Sequence, residues 1–223
     1  MKELDRMKLI SSNNKNSKPF LVSCNIRSLP KHYDQLISSP SVYDAEVICL
    51  QETWLDSNYD YSADFEMAGM NKYVNSVGHG KGIITYFNQE FYLEKNIRTA
   101  SYQITKIISA AVDVINIYCS SSVDSSGCII DIISLFNDSK KTLLVGDLNI
   151  CFINERHHKI LKLIEKSGFK QQVKFPTHTA GRQIDHVYYF SPSEDTPSLE
   201  VEQVGQFFTD HDMLIVKQPN KQV

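Results

Sequence analysis

Several acidic, amide and imidazole side chains in this sequence come directly after apolar segments. Leu143-Leu144-Val145, for example, precedes Gly146-Asp147, and a continuous apolar run of this kind is typical of a strand covered on both faces. The polar residues in such positions are Asn25, Glu52, Asp147, Asn149, Asp185, Asp210 and His211. Side chains at the ends of buried strands can converge on a rigid scaffold, so we expect them to form one functional site.

The segment that begins at Gly146 is the most informative of these. Asp147 and Asn149 alternate with Leu148 and Ile150, so their side chains leave one face of a buried strand. A buried carboxylate and amide need a polar partner, such as a metal ion, to offset the cost of leaving water. Glycine, aspartate and asparagine also favour tight turns, which is the alternative interpretation. The flanking apolar residues favour the functional one.

The other positions also have structural alternatives. Asn25 could open a turn, and Glu52 could be the first solvated residue after a strand. A single histidine is more often structural than catalytic. Two neighbouring Asp–His pairs, Asp185-His186 and Asp210-His211, are harder to explain in this way.

Together, these residue types support hydrolysis of a phosphate ester. Mg²⁺ prefers oxygen ligands, and Glu52 could supply one. A histidine held by an aspartate can take a proton from water, which contributes roughly 10²- to 10⁴-fold to a rate. Asn149 and a tyrosine hydroxyl could stabilise charge on the phosphate oxygens.

Short apolar runs predict the strands that must position these residues. Strands that are covered on both faces are expected at 20–26, 45–51, 82–87, 110–118, 142–148, 183–190 and 213–216. More strictly alternating runs predict outer antiparallel strands at 71–77, 103–108 and 201–208. Helical spacing predicts helices at 30–38, 125–137 and 154–167, the last with Asn154 as its N-cap.

Many strands with a few interspersed helices predict an α/β fold. We expect a four-layer α-β-β-α sandwich, in which two packed, mostly antiparallel mixed sheets carry helices on their outer faces. A chain of 223 residues fits one such domain. Residues 1–18 are expected to be a flexible polar leader, 19–217 the single domain and 218–223 a polar tail.

The composition excludes several classes of protein. The net charge of -3 gives none of the overall basic character that a passive nucleic-acid binder usually shows. The chain has no apolar run long enough for a membrane span and no secretory signal at its start. Its five cysteines are odd in number, widely spaced and set in apolar runs. They predict small buried side chains in a reducing, intracellular compartment, and argue against disulfides or a zinc site.

The motifs resemble those of the endonuclease/exonuclease/phosphatase superfamily, which includes pancreatic deoxyribonuclease and the exonuclease III-like abasic-site endonucleases. The matching segments follow one another in order between residues 19 and 216. They are Ser23-Cys24-Asn25-Ile26-Arg27-Ser28-Leu29, Gln51-Glu52-Thr53-Trp54-Leu55, Gly80-Lys81-Gly82-Ile83, Ile115-Asn116-Ile117-Tyr118, Val145-Gly146-Asp147-Leu148-Asn149, Ile184-Asp185-His186-Val187 and Thr209-Asp210-His211-Asp212. Within the superfamily, Gln51-Glu52-Thr53-Trp54-Leu55 and Pro176-Thr177-His178 look most like the endonuclease domains of non-LTR retrotransposons and Helitron-type transposons.

The resemblance implies a role for each position. Mg²⁺ or Mn²⁺ would be held by Glu52, Asn25 and Asp210. The attacking water and the phosphate would be handled by Asp147, Asn149 and Tyr118, with His211 as base or phosphate clamp and Asp185 orienting it. DNA would be contacted by Arg27, Thr177 and Arg182.

The resemblance further implies a DNA endonuclease, and specifically a nickase, that leaves 3′-hydroxyl and 5′-phosphate ends. Such an enzyme would act as a monomer on DNA, in the nucleus if its substrate is genomic, either alone or as part of a mobile-element polyprotein. Leu148 stands where phenylalanine is commoner and Thr209 where serine is usual, both mild departures. A phosphatase or phospholipase of the same fold is the first alternative, and a non-catalytic nucleic-acid-binding module is the second.

Overall fold

Two six-stranded β-sheets lie face to face in the computed structural model, which describes residues 18–121, 125–193 and 199–217. Residues 1–17 of the predicted leader and the predicted tail at 218–223 lie outside these described residues. None of the helices within the described ranges is long and apolar enough to cross a membrane.

The first sheet has one parallel pair of strands at its centre. Its members are β1 (Pro19–Asn25), β2 (Val47–Gln51), β3 (Asn71–Asn75), β4 (Ile83–Phe87), β11 (Glu200–Val204) and β12 (Met213–Lys217). They are arranged in the order β11-β12-β1-β2-β4-β3. Only the β1–β2 pair is parallel, so the carboxyl ends of these two strands lie side by side.

The second sheet repeats this arrangement. Its members are β5 (Tyr92–Arg98), β6 (Tyr102–Ile108), β7 (Asp113–Cys119), β8 (Thr142–Asp147), β9 (Lys170–Gln171) and β10 (Asp185–Phe190), in the order β5-β6-β7-β8-β10-β9. The only parallel pair is β7–β8. Each sheet therefore presents the carboxyl ends of two central strands, where the polar residues of the sequence motifs begin.

Helices cover the outer faces of both sheets. They are α1 (Leu29–Ile37), α2 (Pro40–Tyr43), α3 (Ser125–Ser134) and α4 (Lys159–Lys166). α1 begins with Pro30 in its first turn, where a missing N–H costs nothing, and it buries Leu29 and Leu36 against the first sheet. α3 and α4 pack on the second sheet through residues such as Ile132 and Ile160. The predicted four-layer α-β-β-α sandwich is confirmed.

The continuous apolar runs are explained by this layering. In β2, Val47 and Cys49 face the layer between the sheets, whereas Ile48 and Leu50 face the helices. Each side chain that is fully buried in this way stabilises the fold by about 1.5–3 kcal/mol, with cysteine below that range. All five cysteines are buried and free, as the sequence predicted.

Near the carboxyl ends of the central strands, the layer between the sheets becomes polar. Gln51 of β2 donates a hydrogen bond from Nε2 to Oδ1 of Asn116 on β7, at 2.8 Å. Asn116 in turn donates from Nδ2 to Oγ1 of Thr85 on β4, at 3.0 Å. These three side chains are fully buried, so breaking one bond leaves an unsatisfied buried group. The network fixes the position of one sheet relative to the other just below the predicted site.

The structure differs from the predicted elements in several places. α2, β5 and β9 were not predicted, and the strand expected at 201–208 ends at Val204. α4 begins at Lys159, so the prediction of Asn154 as its N-cap is wrong. The segment before the helix forms turns instead, and the ring of His158 caps the helix by accepting a hydrogen bond from the Ile160 N–H at 3.3 Å.

Candidate functional site

Asp147 lies at the centre of a polar cluster to which both sheets contribute. On its own sheet it is in register with Tyr118 of β7 and Asp185 of β10. From the opposite sheet, Asn25 at the end of β1 donates a hydrogen bond from Nδ2 to Oδ2 of Asp147, at 2.8 Å. Both Asn25 and Asp147 have no solvent-exposed surface. The structure thus brings together two residues that are 122 positions apart in the chain.

The glycine before Asp147 allows this placement. Gly146 has φ 134°, which only glycine adopts readily, and a Cβ there would lie 1.9 Å from the carbonyl oxygen of Ile117. β8 can therefore lie against β7 without a side chain between them. Asn149 follows in the left-handed region at φ 53°, a conformation that asparagine tolerates. This turn directs the Asn149 N–H onto Oδ1 of Asp147, at 2.7 Å.

Burial dominates the electrostatics of Asp147. Burial and the nearby charge of Asp185 raise its pKa to about 8, although His211 and the hydrogen bonds from Asn149 and Asn25 oppose the shift. A carboxyl group with a raised pKa is a stronger base than an ordinary aspartate once it has lost its proton. Asp147 is therefore suited to accept a proton near neutral pH.

Asp185 and His211 form a hydrogen-bonded pair beside Asp147. His211 Nδ1 lies 3.0 and 2.9 Å from the two carboxylate oxygens of Asp185, so it carries the proton and Nε2 is left for other partners. Burial lowers the pKa of His211, but the hydrogen bond and charge of Asp185, together with Asp147 and Asp210, raise it to about 9. The imidazole is thereby favoured in its protonated form.

Thr177 holds this pair in place. It is fully buried and donates a hydrogen bond from Oγ1 to Oδ2 of Asp185, at 2.7 Å. Its Oγ1 also accepts the Asp185 N–H at 3.1 Å. The sequence predicted Thr177 as a substrate contact, whereas the structure places it behind Asp185 as a positioning residue.

Asp210 lies between the side chains of Arg27 and His178. Its Oδ2 accepts one hydrogen bond, from Arg27 Nη1 at 2.6 Å, and the same oxygen lies 3.2 Å from His178 Nε2. Burial raises the pKa of Asp210, but the hydrogen bond and charge of Arg27, together with His211, lower it overall. Its Oδ1 is buried without a hydrogen-bond partner, 3.8 Å from His211 Nε2.

His178 is a site residue that sequence reasoning did not identify. The His178 Nδ1 atom accepts the Ala180 N–H at 3.0 Å, so Nε2 is the nitrogen that can donate to Asp210. Its ring also packs edge-on against His211, with ring centroids 4.8 Å apart. Its sequence signal was the Pro176-Thr177-His178 motif, which lies in a segment that forms no named strand and in which no role was assigned to the histidine.

Glu52 lies directly after the end of β2, and its neighbour Gln51 is in register with Asn25 of β1. The φ of Glu52, 49°, is unusual for glutamate. The Trp54 indole donates to Oε2 at 3.3 Å, and the Tyr118 hydroxyl lies 3.5 Å from Oε1. Burial and the charge of Glu52 raise the pKa of Tyr118, so the phenol remains a donor. The ring of His79 packs against Trp54, with ring centroids 4.3 Å apart.

Arg182 lies at the solvent-facing edge of the cluster. It donates from Nη2 to the carbonyl oxygen of Asn149 at 3.3 Å, and the same nitrogen lies 3.8 Å from Glu155 Oε2. The side chain of Arg182 is 43% exposed and that of Arg27 is 46% exposed. Two of the three predicted DNA contacts are thus accessible beside buried catalytic candidates, whereas the third, Thr177, is buried.

The sequence profile of the Endonuclease/Exonuclease/phosphatase family matches residues 22–211, a range that contains every residue of this site. The chain belongs to this family. Family membership supports a metal-dependent phosphoester hydrolase: a phosphodiesterase, nuclease or phosphatase. No curated protein sequence matches the chain at a significant level.

Solved structures of this family share the fold. The 3′ phosphatase NExo from Neisseria, bound to product DNA hairpin, is 17% identical, with a TM-score of 0.67 over 89% of this chain and 98% of that one. An AP endonuclease from Archaeoglobus fulgidus is 15% identical, with a TM-score of 0.70 over 88% and 97%. The endonuclease domain of TRAS1, a telomere-specific non-LTR retrotransposon, is 13% identical, with a TM-score of 0.65 over 90% and 98%.

The family generally uses divalent metal ions, and the residues present fit one. The buried Oδ1 of Asp210 has no hydrogen-bond partner, which a cation would supply. Glu52 forms no salt bridge among the described residues and is held only by long hydrogen bonds from uncharged donors. Carboxylate and amide oxygens are the ligands that Mg²⁺ and Mn²⁺ prefer. The structure also contains two groups of residues whose carboxylate and imidazole ligand atoms lie, within each group, no more than 4.8 Å apart. The first group is Asp147, Asp185 and His211, and the second is His178, Asp210 and His211.

Proposed function

We propose that this chain is a divalent-metal-dependent DNA endonuclease that nicks one strand and leaves 3′-hydroxyl and 5′-phosphate ends. The observation that carries the proposal is the convergence of Asp147, Asn25 and the Asp185–His211 pair, which places a buried base beside a protonated imidazole. Such a pair is suited to activating water at one atom while stabilising negative charge at another.

The metal would be held by oxygen atoms of Glu52, Asn25 and Asp210, and we propose Mg²⁺ or Mn²⁺. When bound, it supplies positive charge that offsets charge developing on the phosphate. Among the described residues, Asn25 Oδ1 accepts only the Arg27 N–H, at 3.2 Å, so one lone pair of that oxygen is left for a cation.

The protein side chains then perform the proton transfers. Asp147 takes a proton from the attacking water as the water oxygen bonds to phosphorus. The bond from phosphorus to the 3′ oxygen breaks, and that oxygen takes a proton from solvent. Protonated His211 donates from Nε2 to a phosphate oxygen, while Asp185 holds its Nδ1, and this arrangement favours the clamp role of His211 over the base role. Tyr118 can donate a further hydrogen bond to the phosphate from its protonated phenol.

DNA as the substrate rests on two kinds of support, and a further likeness bears on the origin of the chain. Arg27 and Arg182 expose their guanidinium groups beside the cluster, where they can contact backbone phosphates. One structural relative is described as bound to product DNA hairpin, and another is an AP endonuclease. The likeness to the TRAS1 endonuclease domain and the Gln51-Glu52-Thr53-Trp54-Leu55 motif support an origin in a mobile element. If the chain has that origin, we expect its reading frame to be joined in the genome to one for a reverse transcriptase or a helicase.

Plasmid nicking tests this proposal. We expect the purified chain to convert supercoiled plasmid to the open-circular form with Mg²⁺, and not with EDTA. The Asp147→Asn variant should lose this activity, whereas Asp44→Asn, an exposed change at the end of α2, should keep it. DNA ligase should reseal the nicks, because it requires a 3′-hydroxyl and a 5′-phosphate.

A phosphatase is the second candidate, since one structural relative is a 3′ phosphatase. Its test is release of phosphate from a DNA oligonucleotide that ends in a 3′-phosphate, and from inositol phosphates. If the wild-type chain releases phosphate from either but leaves the plasmid supercoiled, the endonuclease proposal is wrong.

A further inference from the structure

Phe207 is the most exposed of the large apolar side chains that the structure describes, at 87%. Single exposed apolar residues are common on protein surfaces, so exposure alone says little. Its position is more informative, because Phe207 lies three residues before Asp210, in the loop between β11 and β12. Aromatic rings exposed at the rim of a polar site are suited to contact flat, partly apolar ligands.

The neighbouring residues hold Phe207 outward. Phe208 takes the inward position, where it stacks on His32 of α1 with ring centroids 5.3 Å apart, and packs against the outer apolar cluster of the first sheet. Phe207 meets Phe208 edge-on at 5.4 Å. On the other side, Thr209 donates from Oγ1 to the carbonyl oxygen of Asn25 at 3.0 Å. The inward place is therefore filled, and the loop is anchored to the site.

The reach of Phe207 can be estimated from chain geometry. Three residues span at most about 11 Å, and the bases of one DNA strand are spaced about 3.4 Å apart. A ring at position 207 therefore reaches a base within about three nucleotides of a phosphate held by His211, the residue after Asp210.

The surroundings favour a nucleic-acid strand over an apolar partner. Arg27, which is 46% exposed, contacts Asp210, and Lys31 is exposed next to His32, on which Phe208 stacks. Proteins that grip single or distorted strands combine cations for the backbone with aromatic rings for the bases. An apolar protein partner would instead need a contiguous apolar patch. Phe207 has Gln206 on one side, and on the other side Phe208 turns its ring inward onto His32.

We propose that Phe207 stacks on a nucleobase of the DNA substrate close to the cut phosphate, while Arg27 contacts the adjacent backbone. This inference rests on the proposed function and adds a base-stacking subsite to it. A stacked ring reads no sequence, because every base has an aromatic face, so the subsite would favour DNA that is easily unstacked over a particular sequence.

The test uses duplexes with 2-aminopurine, a fluorescent base, placed in turn at the three positions on each side of the mapped cut. The measurement is made in Ca²⁺, which slows cleavage. We expect the wild-type chain to change the 2-aminopurine fluorescence at one of these positions. Phe207→Ala should abolish that change and raise KM for nicking by about 5- to 150-fold, the range that corresponds to loss of one stacked base. Phe207→Trp should restore both, and kcat should change little.

Tyr43→Ala is the matched control, because Tyr43 is 82% exposed and lies at the end of α2, next to the strand ends opposite the site. It should leave KM unchanged, and thermal unfolding should show that both variants fold. If the wild type nicks DNA but Phe207→Ala keeps both KM and the fluorescence change, the stacking inference is wrong and the endonuclease proposal stands. If the wild type neither nicks nor binds DNA, both are wrong. Self-association that Phe207→Ala abolishes, with KM for DNA unchanged, would assign the ring to contact with a second copy and overturn the inference.

Discussion

Acid should destabilise the protein through His186, the residue after Asp185. His186 is fully buried, and its two ring nitrogens are both committed: Nε2 lies 2.9 Å from the carbonyl oxygen of Ile150, and Nδ1 lies 2.8 Å from Gln171 Nε2. Gln171 cannot turn its oxygen towards the ring without loss, because Oε1 already accepts the N–H groups of Gln172 and Val173. The pocket therefore accepts only the neutral imidazole.

The magnitude follows from the pKa. Burial lowers the pKa of His186 from about 6.5 to about 4, although the Ile150 carbonyl and Asp185 oppose the shift. As the pH falls, the unfolded chain binds this proton before the folded chain does. The contribution of neutral His186 to the free energy of unfolding is therefore complete above pH 6.5 and is lost as the pH falls towards 4. Linkage gives a loss of about 2 kcal/mol between pH 7 and pH 5, and of roughly 3 kcal/mol in total.

The assay is urea unfolding at pH 7, 6 and 5, followed by the fluorescence of Trp54, the only tryptophan. Other groups also titrate in this range, so the quantity of interest is the difference between the wild type and His186→Gln, whose amide can form similar hydrogen bonds but does not titrate. The variant should lose about 2 kcal/mol less than the wild type between pH 7 and pH 5. If both lose the same free energy, the buried neutral imidazole is not the cause of acid instability.

Three further predictions concern the site. Asp185→Asn should lower kcat for nicking by roughly 10²- to 10⁴-fold with little change in DNA affinity, because His211 loses the charge that keeps it protonated. Equal kcat values for the variant and the wild type would contradict this prediction. Titration with Mn²⁺ in the absence of DNA should change the fluorescence of Trp54, whose indole contacts Glu52, and Glu52→Gln should remove the change; a response that survives the substitution would place the metal elsewhere. Gly146→Ala should destabilise the fold by about 3 kcal/mol or more in urea unfolding, since its Cβ would lie 1.9 Å from the Ile117 oxygen, and a loss below 1 kcal/mol would show that β8 can shift.

Most of the fold could be predicted because its central strands are covered on both faces. β1, β2 and β8 each contain a run of consecutive apolar residues, and β7 is apolar except at Asp113 and Asn116; all four carry or precede residues of the site. β5 could not be predicted in this way. It is an edge strand whose residues are largely exposed, so selection for burial leaves no pattern there.

The site could be predicted as a set of residues but not as a set of contacts. Asp147 ends β8 and Asn149 follows it, at a strand end that the sequence identifies, whereas Asp185 begins β10 rather than following a strand. The hydrogen bond between Asn25 and Asp147 depends on how the two sheets pack, which a linear pattern does not encode. His178 lies in a loop between strands, where nothing periodic marks its position.

The central claim is that Asp147 accepts the proton of the attacking water. Single-turnover cleavage of a defined duplex at saturating Mg²⁺ tests it most directly, with the Kd for the same duplex measured in Ca²⁺. We expect Asp147→Asn, which keeps the shape of the side chain and one of the two acceptor oxygens that face Asn25 and Asn149, to lower the cleavage rate by at least roughly 10²-fold and to leave the Kd within a few-fold of the wild type. Cleavage within a few-fold of the wild-type rate would contradict the claim.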